Sequence, residues 1–197
     1  MVAAPPTYGE AFLEWLREHA GLKWQCDLSD DDIDGLEAKW GVLFPPDYRL
    51  LLRKLHAPAD PPAGARFYDW RDDEALRRAF DWPVQGLAFD VEHNELWLEG
   101  WGSRPADPDA RRIRLKQVVN AEAAPLIPVL GHRYLVGLPL EAGNPVLSIH
   151  QADIIVYGDD LRGYLLHELF GTGGRCAAGE PILERWCRIP FWGSFVS

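Results

Sequence analysis

The stretch LSDDDIDGLEAKWGVLFPPDYRLLLRKLH, residues 28–56, decides how the fold begins. Ser29 is a good helix N-cap, and Asp32 stands three residues later, where its carboxylate can return a hydrogen bond to the cap. Six acidic residues lie within residues 27–37, close to the start of this helix, where the helix dipole favours negative charge. The pattern therefore predicts a helix that begins after Ser29 and ends at Gly41.

A second helix is predicted directly after it, from the segment FPPDYRLLLRKLHA. Proline is tolerated in a first helical turn, because the N–H that it lacks would have no partner there. Tyr48, Leu51, Leu52 and Leu55 then repeat at the spacing of one helical face. The chain thus opens with consecutive helices, since residues 8–20 also place apolar side chains at helical spacing.

Beyond residue 56 the sequence predicts a loop and a short helix, and after about residue 81 the apolar period changes from helical to alternating. Residues 57–65 are a proline-rich loop and residues 72–81 a short helix. Alternation of Leu87, Phe89 and Val91 predicts a strand, followed by a turn at residues 93–94. Further strands are predicted at 126–130, 133–138, 146–149 and 154–157, with a helix over 108–123 before them and a last helix, capped by Asp159, through Leu169.

This order of elements predicts an α+β fold with a mainly antiparallel sheet flanked by helices. The 197 residues suit a single domain, 1–197, with a core at about 28–170. The tail 181–196 is strongly aromatic, so we expect it to pack on that core.

The formal net charge of −10 argues against binding to nucleic acid or to an anionic membrane surface. It suits a basic protein partner, because opposite net charges steer association. No stretch reaches the ~18 apolar residues of a membrane span, and the N-terminus does not resemble a signal peptide. Cys26, Cys176 and Cys187 form no CxxC pair and leave an odd thiol, which is typical of reduced cytoplasmic cysteine.

Two short motifs only partly resemble known chemistry. HELFG, residues 167–171, begins like a zinc-protease motif but has glycine where the second histidine is needed. GTGG, residues 171–174, follows a helix and lacks the lysine of a phosphate loop, so a helix C-cap explains it better. The sequence therefore predicts no cofactor, no metal site and no catalytic motif.

The segment GNPVLSIHQADIIVYG, residues 143–158, carries the strongest hint of chemistry. His150 and Asp153 could orient one another as a catalytic pair, with His132 nearby and Ser148 on the same strand face as His150. A small enzyme using these residues is one hypothesis, and a metal bound by His93, His132 and His150 is another. The simpler interpretation is a strand–turn–strand whose polar residues complete the fold.

A protein-binding surface is the competing interpretation of the same segments and of the acidic residues. Interfaces are enriched in tryptophan, tyrosine and arginine, and acids would attract a basic partner. The candidate partner-binding residues are Asp30, Asp31, Asp34, Glu92, His93, Glu95, Trp97, Glu99, Trp101, His132, Arg133, Tyr134, His150 and Asp153.

The order of these segments resembles the SUKH superfamily. The opening stretch carries residues that match that family's Ile–x–x–Leu/Phe–Glu and Gly–x–x–Leu–Pro–x–Asp–Tyr patterns, followed by its leucine-rich helix. The matching residues are Ile33, Leu36, Glu37, Gly41, Pro45 or Pro46, Asp47, Tyr48, Leu51 and Leu52. Segments 86–105, 125–139 and 143–158 look like a bacterial subgroup labelled cell-wall-assembly or glucan-synthesis-regulator-like. The likeness covers about residues 28–170, and RKLHAPADPP departs from it where many members have an asparagine–glycine turn.

The resemblance implies a non-enzymatic binding domain. Many bacterial members are similar to immunity proteins that bind and neutralise toxin domains, often nucleases, and fungal relatives are interaction hubs in cell-wall regulation. The family offers no catalytic residues for His150 or Asp153. We therefore expect an immunity-like protein that binds a toxin, with a cytoplasmic regulator or scaffold related to glucan-synthesis regulators as the alternative.

Overall fold

The described chain alternates helices with short strands, and it builds two antiparallel sheets. A computed structural model describes residues 4–25, 28–58, 67–171 and 186–196. Its helices are α1 Glu10–His19, α2 Asp30–Trp40, α3 Pro46–Lys54, α4 Asp73–His93, α5 Pro108–Glu122 and α6 Leu161–Phe170. Its strands are β1 Trp24–Gln25, β2 His56–Pro58, β3 Leu126–Leu130, β4 Arg133–Val136, β5 Val146–His150 and β6 Asp153–Gly158. The predicted α+β class is confirmed.

Helices α2 and α3 begin and end where the sequence predicts. The hydroxyl of Ser29 accepts the N–H of Asp32 at 3.1 Å, and the Asp32 carboxylate accepts the N–H of Ser29 at 2.9 Å. Gly41 ends α2 at a φ of 63°, which glycine adopts without steric cost. Pro46 occupies the first turn of α3. This local chemistry sets the ends of α2 and the start of α3.

The main sheet is a four-stranded meander in the order β3–β4–β5–β6, and both of its faces are covered. Residues such as Leu135 and Val146 face a core formed with α1, α2, α3 and α6. Tyr134, Leu147 and Ile149 point the other way, into a second core formed with α4, α5 and residues 186–196. Alternate residues therefore enter different cores, which explains why the strands read as nearly continuous apolar runs.

The C-terminal residues 186–196 belong to this second core. Trp192 is buried and donates its indole N–H to the carbonyl oxygen of Ala124 at 2.8 Å. Cys187 is an exposed free thiol. Cys26, Cys176, most of the loop at 57–65, residues 172–174 and the tail segment 181–185 lie outside the described residues.

Helix α4 corrects the prediction for residues 72–98. It runs unbroken from Asp73 to His93, so the predicted strand at residues 87–91 is the second half of a helix. The turn predicted at residues 93–94 is the end of that helix instead, and residues 96–98 form no strand. The cap of α6 is also corrected, because Asp160 rather than Asp159 accepts the N–H of Gly163, at 2.7 Å.

A contact from the sheet explains why α4 continues through Pro83. Proline has no N–H, so the carbonyl of Ala79, four residues earlier, loses its helical hydrogen bond. The hydroxyl of Tyr134 on β4 donates to that carbonyl oxygen at 2.8 Å. Both Tyr134 and Ala79 are buried. The sheet thus supplies the donor that the helix lacks.

We expect Tyr134→Phe to lower the free energy of unfolding by about 1–3 kcal/mol, because it leaves the Ala79 carbonyl buried without a donor. Adding Pro83→Ala restores a helical N–H at residue 83, so the cost of Tyr134→Phe should shrink in that background. Urea unfolding of the two single variants and the double variant measures this coupling. Strictly additive changes in the free energy of unfolding would show that Tyr134 does not compensate for the N–H that Pro83 lacks.

His56 on β2 makes stability dependent on pH. Its side chain is fully buried, and its Nε2 accepts the N–H of Trp70 at 3.2 Å. Burial lowers the pKa of His56, with a smaller lowering from Arg71 and an opposing effect of Asp69. The unfolded chain takes up this proton near pH 6.5 while the folded protein resists it.

The free energy of unfolding should therefore be highest above about pH 6.5 and should decline as the pH falls below that value. Urea titrations between pH 7.5 and pH 5.0 measure this decline. The His56→Gln variant should show a shallower decline than the wild-type chain. An equal slope in both proteins would exclude His56 as its source.

Candidate functional site

The segment HQAD at residues 150–153 is a tight hairpin turn. His150 pairs with Asp153 across β5 and β6, and Gln151 adopts a φ of 59° between them. Their side chains are exposed, and the structure shows no hydrogen bond that joins them. Ser148 is also not paired with His150, because its hydroxyl accepts a hydrogen bond from Arg133 at 2.7 Å. The predicted strand–turn–strand is what the chain forms here.

Helix α4 holds this turn in place through three contacts. The carboxylate of Asp90 accepts the N–H of Ala152 at 2.7 Å, and the indole N–H of Trp82 donates to the carbonyl oxygen of Ile149 at 3.3 Å. Gly86 lies so close to the turn that a Cβ there would stand 3.0 Å from the Cα of Gln151. The turn and the helix therefore form one continuous surface.

The outer face of α4 exposes large aromatic side chains. Trp82 is 46% exposed and Phe89, two helical turns on, is 47% exposed. The ring of His93 lies 4.5 Å from that of Phe89, and the ring of His150 meets the Trp82 ring edge-on at 6.4 Å. We call Trp82, Phe89, His93 and His150 the aromatic stripe.

Two shallow grooves flank the aromatic stripe. One, of about 380 Å³, lies beside Trp82 and includes Tyr68, Arg78 and His132. The other, of about 320 Å³, lies between α4 and α5, beside Phe89. Each groove has one exposed ring of the stripe as a wall, so a protruding side chain of a partner could pack against that ring.

The three histidines of the metal hypothesis do not converge. His132 and His150 are neighbours, because the carbonyl oxygen of His132 accepts the N–H of Ile149 at 3.0 Å. Burial lowers the pKa of His132, and the positive charges of Arg133 and His150 lower it further. His93 lies eleven residues beyond Trp82 on α4, roughly 16 Å along the helix axis. Among the described residues, no group of three potential ligands is placed to hold a metal ion.

Four predicted contact residues make contacts within the fold instead. Tyr134 and Trp101 are buried, and Trp101 stacks on Phe191 with ring centroids 6.2 Å apart. Arg133 lies with its guanidinium 3.8 Å from the ring of Tyr157. Trp97 is half-buried, and its indole N–H donates to the carbonyl oxygen of Gly102 at 2.7 Å. Burial thus removes Tyr134 and Trp101 from the candidate surface.

The predicted acidic residues fall into two separate groups. Asp30 and Asp34 at the start of α2 face Arg49, which contacts Asp34 at 2.6 Å and Asp30 at 3.7 Å. Asp31 is exposed beside them. These pairs already neutralise part of the acidic charge on α2.

The second acidic group lies at the far end of α4. Glu92 is hydrogen-bonded to Arg112, which holds the pKa of Glu92 below its usual range, and Glu95 and Glu99 are exposed just beyond the helix. The end of α2 meets the start of α4 through Lys39 and Asp73. Since α4 is about 30 Å long, the two groups do not form one acidic patch.

Sequence reasoning missed Trp82 and Phe89. Both follow from the spacing 82, 89 and 93 once residues 73–93 are read as one helix, because these positions share a face. Pro83 and Gly86 obscured that helix, since both residues usually interrupt helices.

Comparison with known proteins adds no relative: no family model, curated protein or solved structure matches this chain. In the part of the chain that the structure describes, no helix is both long and apolar enough to cross a membrane. The SUKH resemblance therefore stays a prediction from the sequence.

Proposed function

We propose that this chain is a protein-binding domain of the immunity type, which neutralises a toxin in the cytoplasm by direct contact. The observation that carries the proposal is the aromatic stripe. Two large rings, each almost half exposed, occupy one face of a helix that is fixed to the sheet. Aromatic side chains of this kind dominate the energy of protein interfaces, while most exposed positions contribute little.

The rigidity of the stripe supports binding without rearrangement. Trp82 is held by its hydrogen bond to the carbonyl of Ile149, and Phe89 is packed beside His93. Side chains that are ordered before binding lose less conformational entropy when the partner docks. The surface therefore has the properties of a preformed docking site.

Net charge and the aromatic stripe have separate roles in the proposed complex. The formal charge of −10 attracts a basic partner over long distances and raises the association rate. The acids near the stripe contribute less at contact, because Glu92 already pairs with Arg112. Salt should then slow association, whereas loss of the aromatic rings should speed dissociation.

Affinity capture tests this function directly. The tagged chain is incubated with lysate of the cells that it comes from, at low and at high salt, and bound proteins are identified by mass spectrometry. The double variant Trp82→Ala/Phe89→Ala is compared with wild type and with Leu43→Ala. Leu43 is a matched control, because it is an apolar side chain that is 58% exposed outside the stripe.

The proposal expects a stoichiometric basic protein with wild type and with Leu43→Ala, and its loss with the double variant. The captured protein is then purified, and its toxic activity should fall to zero at equimolar amounts of this chain. If the captured protein has no toxic activity, a regulatory or scaffolding function would replace the proposed immunity function. Equal capture of the partner by the double variant and by wild type would exclude the aromatic stripe as the binding surface.

A further inference from the structure

A second polar cluster lies inside the fold, on the face of the sheet that packs against α6. Arg133 on β4 stands opposite Ser148 on β5, and its Nη1 donates to the Ser148 hydroxyl at 2.7 Å. The guanidinium carbon of Arg133 also lies 3.8 Å from the centroid of the Tyr157 ring. These contacts fix the position of Arg133 but do not involve its Nε.

Three buried polar atoms of this cluster have no hydrogen-bond partner among the described residues. They are the Nε of Arg133, the Oε2 of Glu168 and the hydroxyl of Tyr164. Arg133 Nε and Glu168 Oε2 are 4.0 Å apart, which is too far for a direct hydrogen bond. Buried polar groups are nearly always satisfied, by protein or by ordered water.

The three atoms are suited to one shared ligand. Tyr164 and Glu168 are four residues apart on α6, so their side chains lie on the same face of that helix. Burial and the nearby charge of Glu168 raise the pKa of Tyr164 well above its ordinary value, so its hydroxyl remains a donor. The charges of Arg133 and Glu168 both act on Tyr164, so two donors and one acceptor lie close to the space between Arg133 and Glu168.

We propose that an ordered water molecule occupies this space and bridges Arg133, Tyr164 and Glu168. The water accepts the Nε–H of Arg133 and the O–H of Tyr164, and it donates to Glu168 Oε2. Two hydrogen bonds of about 2.8 Å to atoms 4.0 Å apart meet at an angle of roughly 90°, close to what water accepts. Buried waters typically make about three hydrogen bonds, as this one does.

The charges at the site select a small neutral ligand. The Glu168 carboxylate disfavours an anion beside it, and the guanidinium of Arg133 disfavours a metal cation. Water satisfies all three atoms without adding charge to a buried position. The site would thereby tie α6 to strand β4.

A crystal structure of the full chain, at a resolution that shows ordered water, tests the proposal. The expected result is a density peak within hydrogen-bonding distance of all three atoms. The proposal is overturned if Arg133 Nε and Glu168 contact each other directly, if the space is empty, or if a protein side chain fills it.

Tyr164→Phe gives a second, independent test in solution. Removing a hydroxyl that holds a bound water should lower the folding equilibrium constant about five- to tenfold. The matched control is Tyr157→Phe, which makes the same chemical change on the neighbouring half-buried ring and should have a much smaller effect. An unchanged folding constant for Tyr164→Phe would show that its hydroxyl holds no ligand.

Discussion

Replacing Trp70 by alanine is expected to lower the free energy of unfolding by about 3–5 kcal/mol. Trp70 is completely buried, and its ring meets Phe44 edge-on at 4.6 Å. Its indole N–H donates to the Tyr48 hydroxyl at 2.9 Å, and that hydroxyl donates to the carbonyl oxygen of Pro128 at 3.1 Å. The substitution therefore opens a cavity and also removes the donor that the Tyr48 hydroxyl accepts.

Urea unfolding followed by circular dichroism measures this loss. Domains of this size have total stabilities of about 5–15 kcal/mol, so the variant should unfold at much lower urea than the wild type. Trp70→Phe keeps most of the ring and should cost less. A loss below about 1 kcal/mol for Trp70→Ala would contradict the central role of Trp70 in packing.

Replacing Trp82 by alanine should instead weaken partner binding, by at least about 2 kcal/mol or roughly 30-fold in Kd. The ring is 46% exposed in the free protein and stands between His150 and the groove beside His132. Phe89→Ala should have an effect of the same order, because Phe89 is the other large exposed ring of the aromatic stripe. Calorimetry or surface plasmon resonance with the purified partner gives both values.

A second variant provides the control for each experiment. Trp82→Ala should lower the urea midpoint much less than Trp70→Ala, because Trp82 is 46% exposed and loses one hydrogen bond, to the Ile149 carbonyl. Leu43→Ala, an apolar change at a side chain that is 58% exposed outside the aromatic stripe, should leave Kd unchanged. Equal Kd values for Trp82→Ala and wild type would show that the binding surface lies elsewhere.

The helices and strands that sequence predicted correctly are those fixed by neighbouring residues. The capping box of Ser29 and Asp32, and the stop at Gly41, depend on side chains within one or two turns of each other. The strands of the main sheet likewise follow from apolar runs between turn residues. Such signals can be read from a single chain because no distant contact is needed to produce them.

The larger errors come from contacts between distant residues. Helix α4 passes Pro83 because Tyr134, 51 residues later, supplies the missing donor. It tolerates Gly86 because the hairpin turn packs against that position. Trp101 and Tyr134 were predicted as contact residues, since aromatic residue type alone does not distinguish a core ring from an exposed one. The candidate surface could therefore be predicted only in part. His93 and His150 of the aromatic stripe were among the predicted residues, but Trp82 and Phe89 were not.

The hydrogen bond between Tyr134 and the Ala79 carbonyl also has a consequence for the order of folding. The middle of α4 gains its last donor only when β4 is in place, so local helix formation alone leaves this segment incomplete. The helix face that carries Trp82 and Phe89 then forms together with the sheet rather than before it. A peptide of residues 73–93 would contain the side chains of the aromatic stripe without the scaffold that orients them. A mimic of the proposed docking surface would consequently need the intact domain, or another rigid support for the helix.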